Sequence, residues 1–181
     1  MQYYAPFNAI GTRVMPDNLS QNDSHMPPSG RGVGWVVAQV GLFGLFVATL
    51  FAGDGVPDLP GIVFAQIVGV IVALGAAAFS IWAFRYHGSN LTPFPRPVEG
   101  MGLIEEGPYR YVRHPMYTSI IFFSLGVGLA YANAATMLSS VVFVVFFMAK
   151  SGHEEDMLVA EVPGYRQYRS DVPWRLIPYV L

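Results

Sequence analysis

Gly107-Pro108-Tyr109-Arg110-Tyr111-Val112-Arg113-His114-Pro115-Met116-Tyr117 crowds two arginines, a histidine and three tyrosines into eleven residues immediately before a long apolar run. Charge followed at once by an uncharged run belongs where water meets a membrane, so this segment marks the entrance to a transmembrane helix. Its density of polar chemistry also makes it half of a candidate active site. His153-Glu154-Glu155, just past the last apolar run, is the other half. The two are separated by one helical hairpin and are expected at the same membrane face.

Working outward, the whole chain has the composition of a membrane protein. Of 181 residues 53% are hydrophobic and only 12% charged, with a mean hydropathy of +0.42, and the apolar residues arrive in blocks rather than at amphipathic spacing. A net charge of -2 without a basic stripe argues against a nucleic-acid partner. The absence of cysteine excludes disulfides, thiolate nucleophiles and cysteine-based zinc sites. His25, His87, His114 and His153 are scattered, without the paired spacing of a helical metal site, and no metal is expected.

Met1 to Arg31 is polar, rich in Asn, Asp, Ser and Pro, and reads as a mobile arm preceding a single membrane domain over residues 32–181. Met26-Pro27-Pro28-Ser29-Gly30-Arg31 leads directly into the first span and reads as an alternative start. Four spans are expected in an all-helical, polytopic protein: residues 33–52, 62–84, 116–131 and 134–149. Gly69, Ala73 and Ala77, spaced four apart, let another helix approach the second span closely. The segment from His87 to His114 is too rich in proline and glycine for a regular helix, yet its aromatic and apolar content points to an ordered, functional loop. Lys150 to Val162 continues the last helix beyond the membrane until Pro163-Gly164. The tail that follows, with Tyr165, Tyr168, Trp174 and Tyr179 among Arg166, Arg169 and Arg175, has the make-up of an interfacial aromatic and basic belt. Of ten Lys and Arg residues none lies in Gly53 to Pro60 or at Ala132-Asn133, which by the positive-inside rule puts both termini and the long loop in the cytoplasm.

At the first cluster Pro115 suits the opening residue of the third span, where a missing N–H costs nothing. Free amides after it, with Arg113 and His114, make a cationic end that suits a carboxylate or phosphate. The plainer alternative is that Arg110 and Arg113 anchor the helix in headgroups. On the extended last helix Lys150 and Glu154 share a face while Glu155 points about 100° away. Two adjacent carboxylates suit sugar hydroxyls or the orientation of a nucleophile; the plainer alternative is a solvated face carrying a Lys–Glu pair worth a few tenths of a kcal/mol.

Taken in order, Leu91-Thr92-Pro93-Phe94-Pro95-Arg96-Pro97, the Gly107–Tyr117 segment, a hairpin, Glu154-Glu155 with Leu158, Gly164-Tyr165 with Tyr168, and Arg175-Leu176-Ile177-Pro178 resemble the isoprenylcysteine carboxyl methyltransferase and phospholipid methyltransferase superfamily of integral membrane enzymes. The resemblance runs from Asn90 to Pro178; the first two spans match only in being apolar. It implies methyl transfer from S-adenosyl-L-methionine at the cytoplasmic face to a lipid-like or prenylated acceptor: a carboxylate, a phospholipid amine or a thiol. It implies that the cofactor is bound by Gly107, Tyr109, Arg113, His114, Pro115, Tyr117, Glu154, Glu155, Leu158 and Tyr165, with Lys150, Glu154 and His114 at the chemistry. Lys150 stands where the prenylcysteine branch has an arginine, and lysine lacks the bidentate fork that grips a carboxylate. Two other readings remain: a membrane reductase using a nicotinamide cofactor, whose sterol-reductase relatives have a similar C-terminal half, and a non-enzymatic scaffold. The scaffold reading requires the Arg113-His114 and Glu154-Glu155 clusters to lie far apart.

Overall fold

The structure is a computed structural model that describes residues 32–52, 60–87 and 102–180. These lie within one compact unit, Arg31–Leu181, and among the described residues every regular element is a helix. The polar arm, the turn after the first span and most of the long loop fall outside the described residues.

Five α-helices follow in order: α1 Val33–Phe51, α2 Ile62–His87, α3 Pro115–Ala130, α4 Ala134–Glu161 and α5 Tyr165–Asp171, with a 3-10 turn at Gly107–Arg110 before α3. Helices α1, α2 and α4 are long and apolar enough to cross a bilayer. Their large exposed side chains, among them Val37, Phe64, Ile71, Leu74 and Val145, would be costly in water but are the normal lining of a helix set in lipid. The protein is an integral membrane protein. Helix α3 has 16 residues, about 24 Å at 1.5 Å per residue, shorter than the roughly 30 Å hydrocarbon layer.

The packed pairs are α2 with α3, α3 with α4, and α4 with α1. Small residues set the first of these. A methyl group added to Gly126 would sit 2.7 Å from the Gly69 carbonyl oxygen and collide with the backbone of Ala73, so α2 and α3 meet backbone to backbone as the four-residue spacing predicts. The α3–α4 turn is tight, with Ala132 in the left-handed region at φ 50°. Asn133 caps α4 by accepting from Thr136 N at 3.1 Å and donates its Nδ2 to the carbonyls of Thr49 and Ala52 at the end of α1. One amide thus serves two helix ends whose backbone groups would otherwise lack partners.

Helix α4 runs unbroken from the apolar core to Glu161, carrying the glutamates on the expected extension. Two apolar clusters hold the bundle. One joins Phe46, Ile121, Phe143, Phe147 and Leu176; the other joins Tyr109, Val162, Tyr165, Tyr168 and Val172, with Leu103, Ile104 and Leu158 against it. The tail departs from the expected interfacial belt. Tyr165 and Tyr168 are buried and Leu176 is fully enclosed, so that of the tail's four expected aromatic anchors only Tyr179 is exposed. The physical reason lies in unpaired backbone donors: Arg113 N and His114 N, left open before Pro115, bond to the carbonyls of Trp174 and Arg175 at 3.0 Å each. Thr118 Oγ1 donates to Leu176 O, and Tyr168 Oη donates to Tyr109 O at 2.8 Å. The tail is a lid of the bundle, folded back over the entrance to α3.

Candidate functional site

Pro115 is the first residue of α3, with His114 as N-cap. The proline ring preorganises the helix start and fixes the directions in which Arg113, His114 and Tyr117 leave the backbone. The amides of Tyr117 and Thr118 both bond to the His114 carbonyl, so two of the amides expected free after Pro115 are engaged and the helix end presents chiefly side chains. Those side chains meet α4.

Arg113 reaches Glu155 with two nitrogens, Nε to Oε1 at 2.7 Å and Nη2 to Oε2 at 3.3 Å, while Nη1 donates to the carbonyl of Val172 at 2.7 Å. His114 lies between the two glutamates, Nε2 3.2 Å from Glu155 Oε1 and Nδ1 3.6 Å from Glu154 Oε2. Tyr117 Oη donates to Glu154 Oε1 at 2.6 Å. Its ring stacks with those of His114, centroids 5.4 Å apart, and Phe147, at 4.5 Å. Lys150 Nζ is 3.8 Å from Glu154 Oε1 and lies over the Tyr117 ring. The two clusters are in direct contact, contrary to what a scaffold requires.

Burial decides against the solvated-face alternative. Lys150 and Glu155 are 0% exposed, Arg113 7% and Glu154 8%. Four ionisable groups removed from water carry a large desolvation cost and persist only when their partners are well placed. Clusters of this kind near a membrane face are functional-site candidates by default.

The remaining residues expected at the site surround this pair of contacts. Tyr109 and Leu158 sit in the aromatic cluster with Tyr165, next to Arg113's acceptor Val172. Burial pushes the Tyr109 phenol up to about 12. Tyr165 and Tyr168 are raised as well, first by burial, so all three remain neutral at physiological pH. Gly107 opens the 3-10 turn at φ 60°, with the Tyr86 ring where a Cβ would stand, a position that only glycine fills without strain. Its role in the fold is to let α2 cap the turn that carries Tyr109.

Three contributors lie outside the residues expected at the site. Gln39 of α1 accepts from Lys150 Nζ at 2.6 Å; a lone amide in the middle of an apolar span is a readable flag, and it brings α1 to the site. Arg175 Nη2 is 3.1 Å from Glu155 Oε2, and Arg169 Nε is 3.8 Å from the same oxygen. Both come from the folded-back tail, whose path no local pattern announces. Beside the site, a cleft of about 300 Å³ opens between α2 and α3, lined by Val72, Gly75 and Phe79 on one side and Thr118, Ser119 and Phe122 on the other. The Thr118 and Ser119 hydroxyls are bonded to backbone carbonyls, so the cleft is apolar in effect.

Among the described residues no group of three or more His, Asp or Glu side chains is arranged to hold a metal ion. Two buried polar atoms next to the glutamates lack hydrogen-bond partners, Tyr165 Oη and Arg175 Nε. Orphaned buried donors cost about 1–3 kcal/mol each, and they are where a polar ligand would find ready partners.

The phospholipid methyltransferase family matches residues 64–161, from α2 through the end of α4. The Protein-S-isoprenylcysteine O-methyltransferase of Schizosaccharomyces pombe is 38% identical over 73 residues, which is 39% of this chain and 31% of that relative. The match thus spans about a third of the relative's length. Since the family match covers more than half of the chain and includes both halves of the site, the protein belongs to the phospholipid methyltransferase family of integral membrane methyltransferases.

Proposed function

We propose that the protein transfers the methyl group of S-adenosyl-L-methionine to a lipophilic acceptor at the cytoplasmic face of a four-span membrane domain. The observation that carries this reading is the contact of Arg113, His114 and Tyr117 with Glu154 and Glu155 across α3 and α4, within a chain of the methyltransferase family. When bound, the donor supplies an electrophilic methyl group on a sulfonium.

The chain's own residues then have separable tasks. The neutral donors near the glutamates suit the donor's polar end: Tyr165 Oη is buried without a partner, and Tyr109 and Leu158 supply apolar packing beside it. Glu155, clamped by Arg113, holds the α3 entrance to α4 and fixes the orientation of His114. Glu154, shared among Tyr117, His114 and Lys150, keeps an acceptor atom near the reacting centre. It is placed to orient a hydroxyl or ammonium group or to take a proton from an amine acceptor. Lys150, buried and supported by Gln39, sets the polarity at the membrane side of the site. Alignment of donor and acceptor provides most of the rate enhancement expected of such a transfer.

The acceptor's apolar chain is assigned to the α2–α3 cleft, which begins at Thr118, the residue after Tyr117. A chain already dissolved in lipid gains little hydrophobic free energy by entering an apolar cleft. The cleft therefore orients the acceptor rather than supplying affinity.

The test is titration of S-adenosylhomocysteine into the detergent-purified protein, paired with transfer of labelled methyl from S-adenosyl-L-methionine into lipid-extractable material. Saturable binding and transfer are expected, both weakened in Glu154→Ala and His114→Ala. No binding by folded wild-type protein overturns the reading.

A further inference from the structure

We propose that Arg175, assisted by Arg169, is the seat for the carboxylate at the amino-acid end of the methyl donor, so that the C-terminal tail completes the cofactor site. The proposal rests on the methyltransferase reading and moves the anion site away from the residue that sequence favours for it. Arg113 has its three side-chain nitrogens committed to protein oxygens, two to Glu155 and one to the Val172 carbonyl. The amides of Tyr117 and Thr118 bond to the His114 carbonyl. The entrance to α3 thus has little left with which to hold an incoming carboxylate.

The tail has what the entrance lacks. Arg175 gives one nitrogen to Glu155 Oε2, at 3.1 Å, while its Nε is buried and unpaired. Its backbone is fixed by the bond from His114 N to its carbonyl. Its guanidinium lies along α4 at Gly152, 3.5 Å from the point where a Cβ would begin. Gly152, one turn before Glu155, leaves the helix surface clear for it. Arg169 contributes a second cation toward the same carboxylate oxygen and is 45% exposed, open to the side from which a soluble ligand arrives. Three arginines, Arg113, Arg169 and Arg175, converge on the single carboxylate of Glu155, and Glu154 already faces Lys150. The site thus holds two more arginine charges than Glu155 balances. A ligand carboxylate beside Arg175 and Arg169 offsets part of that excess and gives Nε its missing acceptor, in a charge-assisted bond of the stronger kind.

The experiment compares two ligands in the full-length, detergent-purified protein: S-adenosylhomocysteine and its decarboxylated form, which keeps the adenosine, the thioether and the amine. Wild-type protein is expected to bind the carboxylated ligand more tightly. In Arg175→Gln its affinity falls about 10- to 100-fold toward that of the decarboxylated ligand, whose own binding stays at the wild-type level. Arg169→Gln changes affinity in the same direction by less, as suits an exposed cation, and gives an independent reading if Arg175→Gln folds poorly. Equal weakening of both ligands in either variant would make these arginines structural and overturn the proposal, as would undiminished discrimination in both. Failure of folded wild-type protein to bind either ligand overturns the methyl-donor reading itself, and is seen before any variant is made.

Discussion

Glu154 and Glu155 are neighbours in sequence with unlike surroundings, and their substitution should separate stability from function. Among the described residues Glu155 is the carboxylate that pairs with Arg113, whose side chain is 5% exposed. Removing it in Glu155→Ala leaves a buried guanidinium with the Val172 carbonyl as its remaining acceptor. Breaking one side of a buried pair costs about 3–5 kcal/mol, so this variant should show a markedly lowered thermal midpoint in detergent. Glu154→Gln differs: its amide oxygen still accepts from Tyr117, and Lys150 keeps Gln39. Its midpoint should move little, by about 1 kcal/mol or less in stability, while S-adenosylhomocysteine binding and methyl transfer fall sharply. Comparable unfolding shifts in the two variants would contradict this division of roles. The partnership of these glutamates with Arg113 and His114 was legible from motif order. The division between them was not, because it depends on α4 turning Glu155 toward the tail and Glu154 toward Tyr117.

At the scale of elements, the three apolar helices of spanning length and the continuation of α4 to Glu161 follow from hydropathy and the absence of a breaker before Pro163. The close α2–α3 contact follows from Gly69 and Ala73. The tail does not follow, because its tyrosines and arginines have the same composition whether they anchor in headgroups or fold inward. What decides is the pair of backbone donors at Arg113 and His114, a requirement visible only once Pro115 is placed. The inward tail has a consequence at high pH. Tyr109, Tyr165 and Tyr168 hold the tail to the 3-10 turn, and burial raises all three phenols above their ordinary value near 10. A raised folded-state value favours the folded form while the groups are protonated. The stabilisation is therefore fully present below about pH 10 and is lost as pH rises above it, through about 12 for Tyr109 and higher still for Tyr165 and Tyr168, at about 1.4 kcal/mol per pH unit for each tyrosine in the window where it is charged only when unfolded. The tail should release cooperatively in that window, seen as a steep rise in phenolate absorbance with loss of ligand binding. Titration of these tyrosines at the ordinary value, without tail release, would show that they are not buried as a unit.

For the whole molecule, topology turns on α3. Helices α1, α2 and α4 meet the length of a span, while α3, at 16 residues, depends on its neighbours. A short helix can still cross if the bilayer thins or its ends are covered by protein, and here the tail covers its start while Asn133 ties the following turn to the end of α1. Pairing of α3 with α2 and α4 along its length also leaves it with less direct exposure to lipid than the outer helices. Four crossings then place Tyr131, at the α3–α4 turn, on the opposite side of the membrane from Arg166 in α5. The chain contains no cysteine, so Tyr131→Cys and Arg166→Cys each introduce a single reactive thiol at an exposed position. In sealed vesicles of known orientation, a membrane-impermeant maleimide should label Cys at 131 from the outer side and Cys at 166 only after permeabilisation. Labelling of both from one side would mean that α4 does not carry the chain across the membrane. The reverse pattern, Cys at 166 from the outer side and Cys at 131 only after permeabilisation, would mean that α3 re-enters rather than crosses. It would also move the methyl donor's entry to a face other than the one that the distribution of arginines indicates.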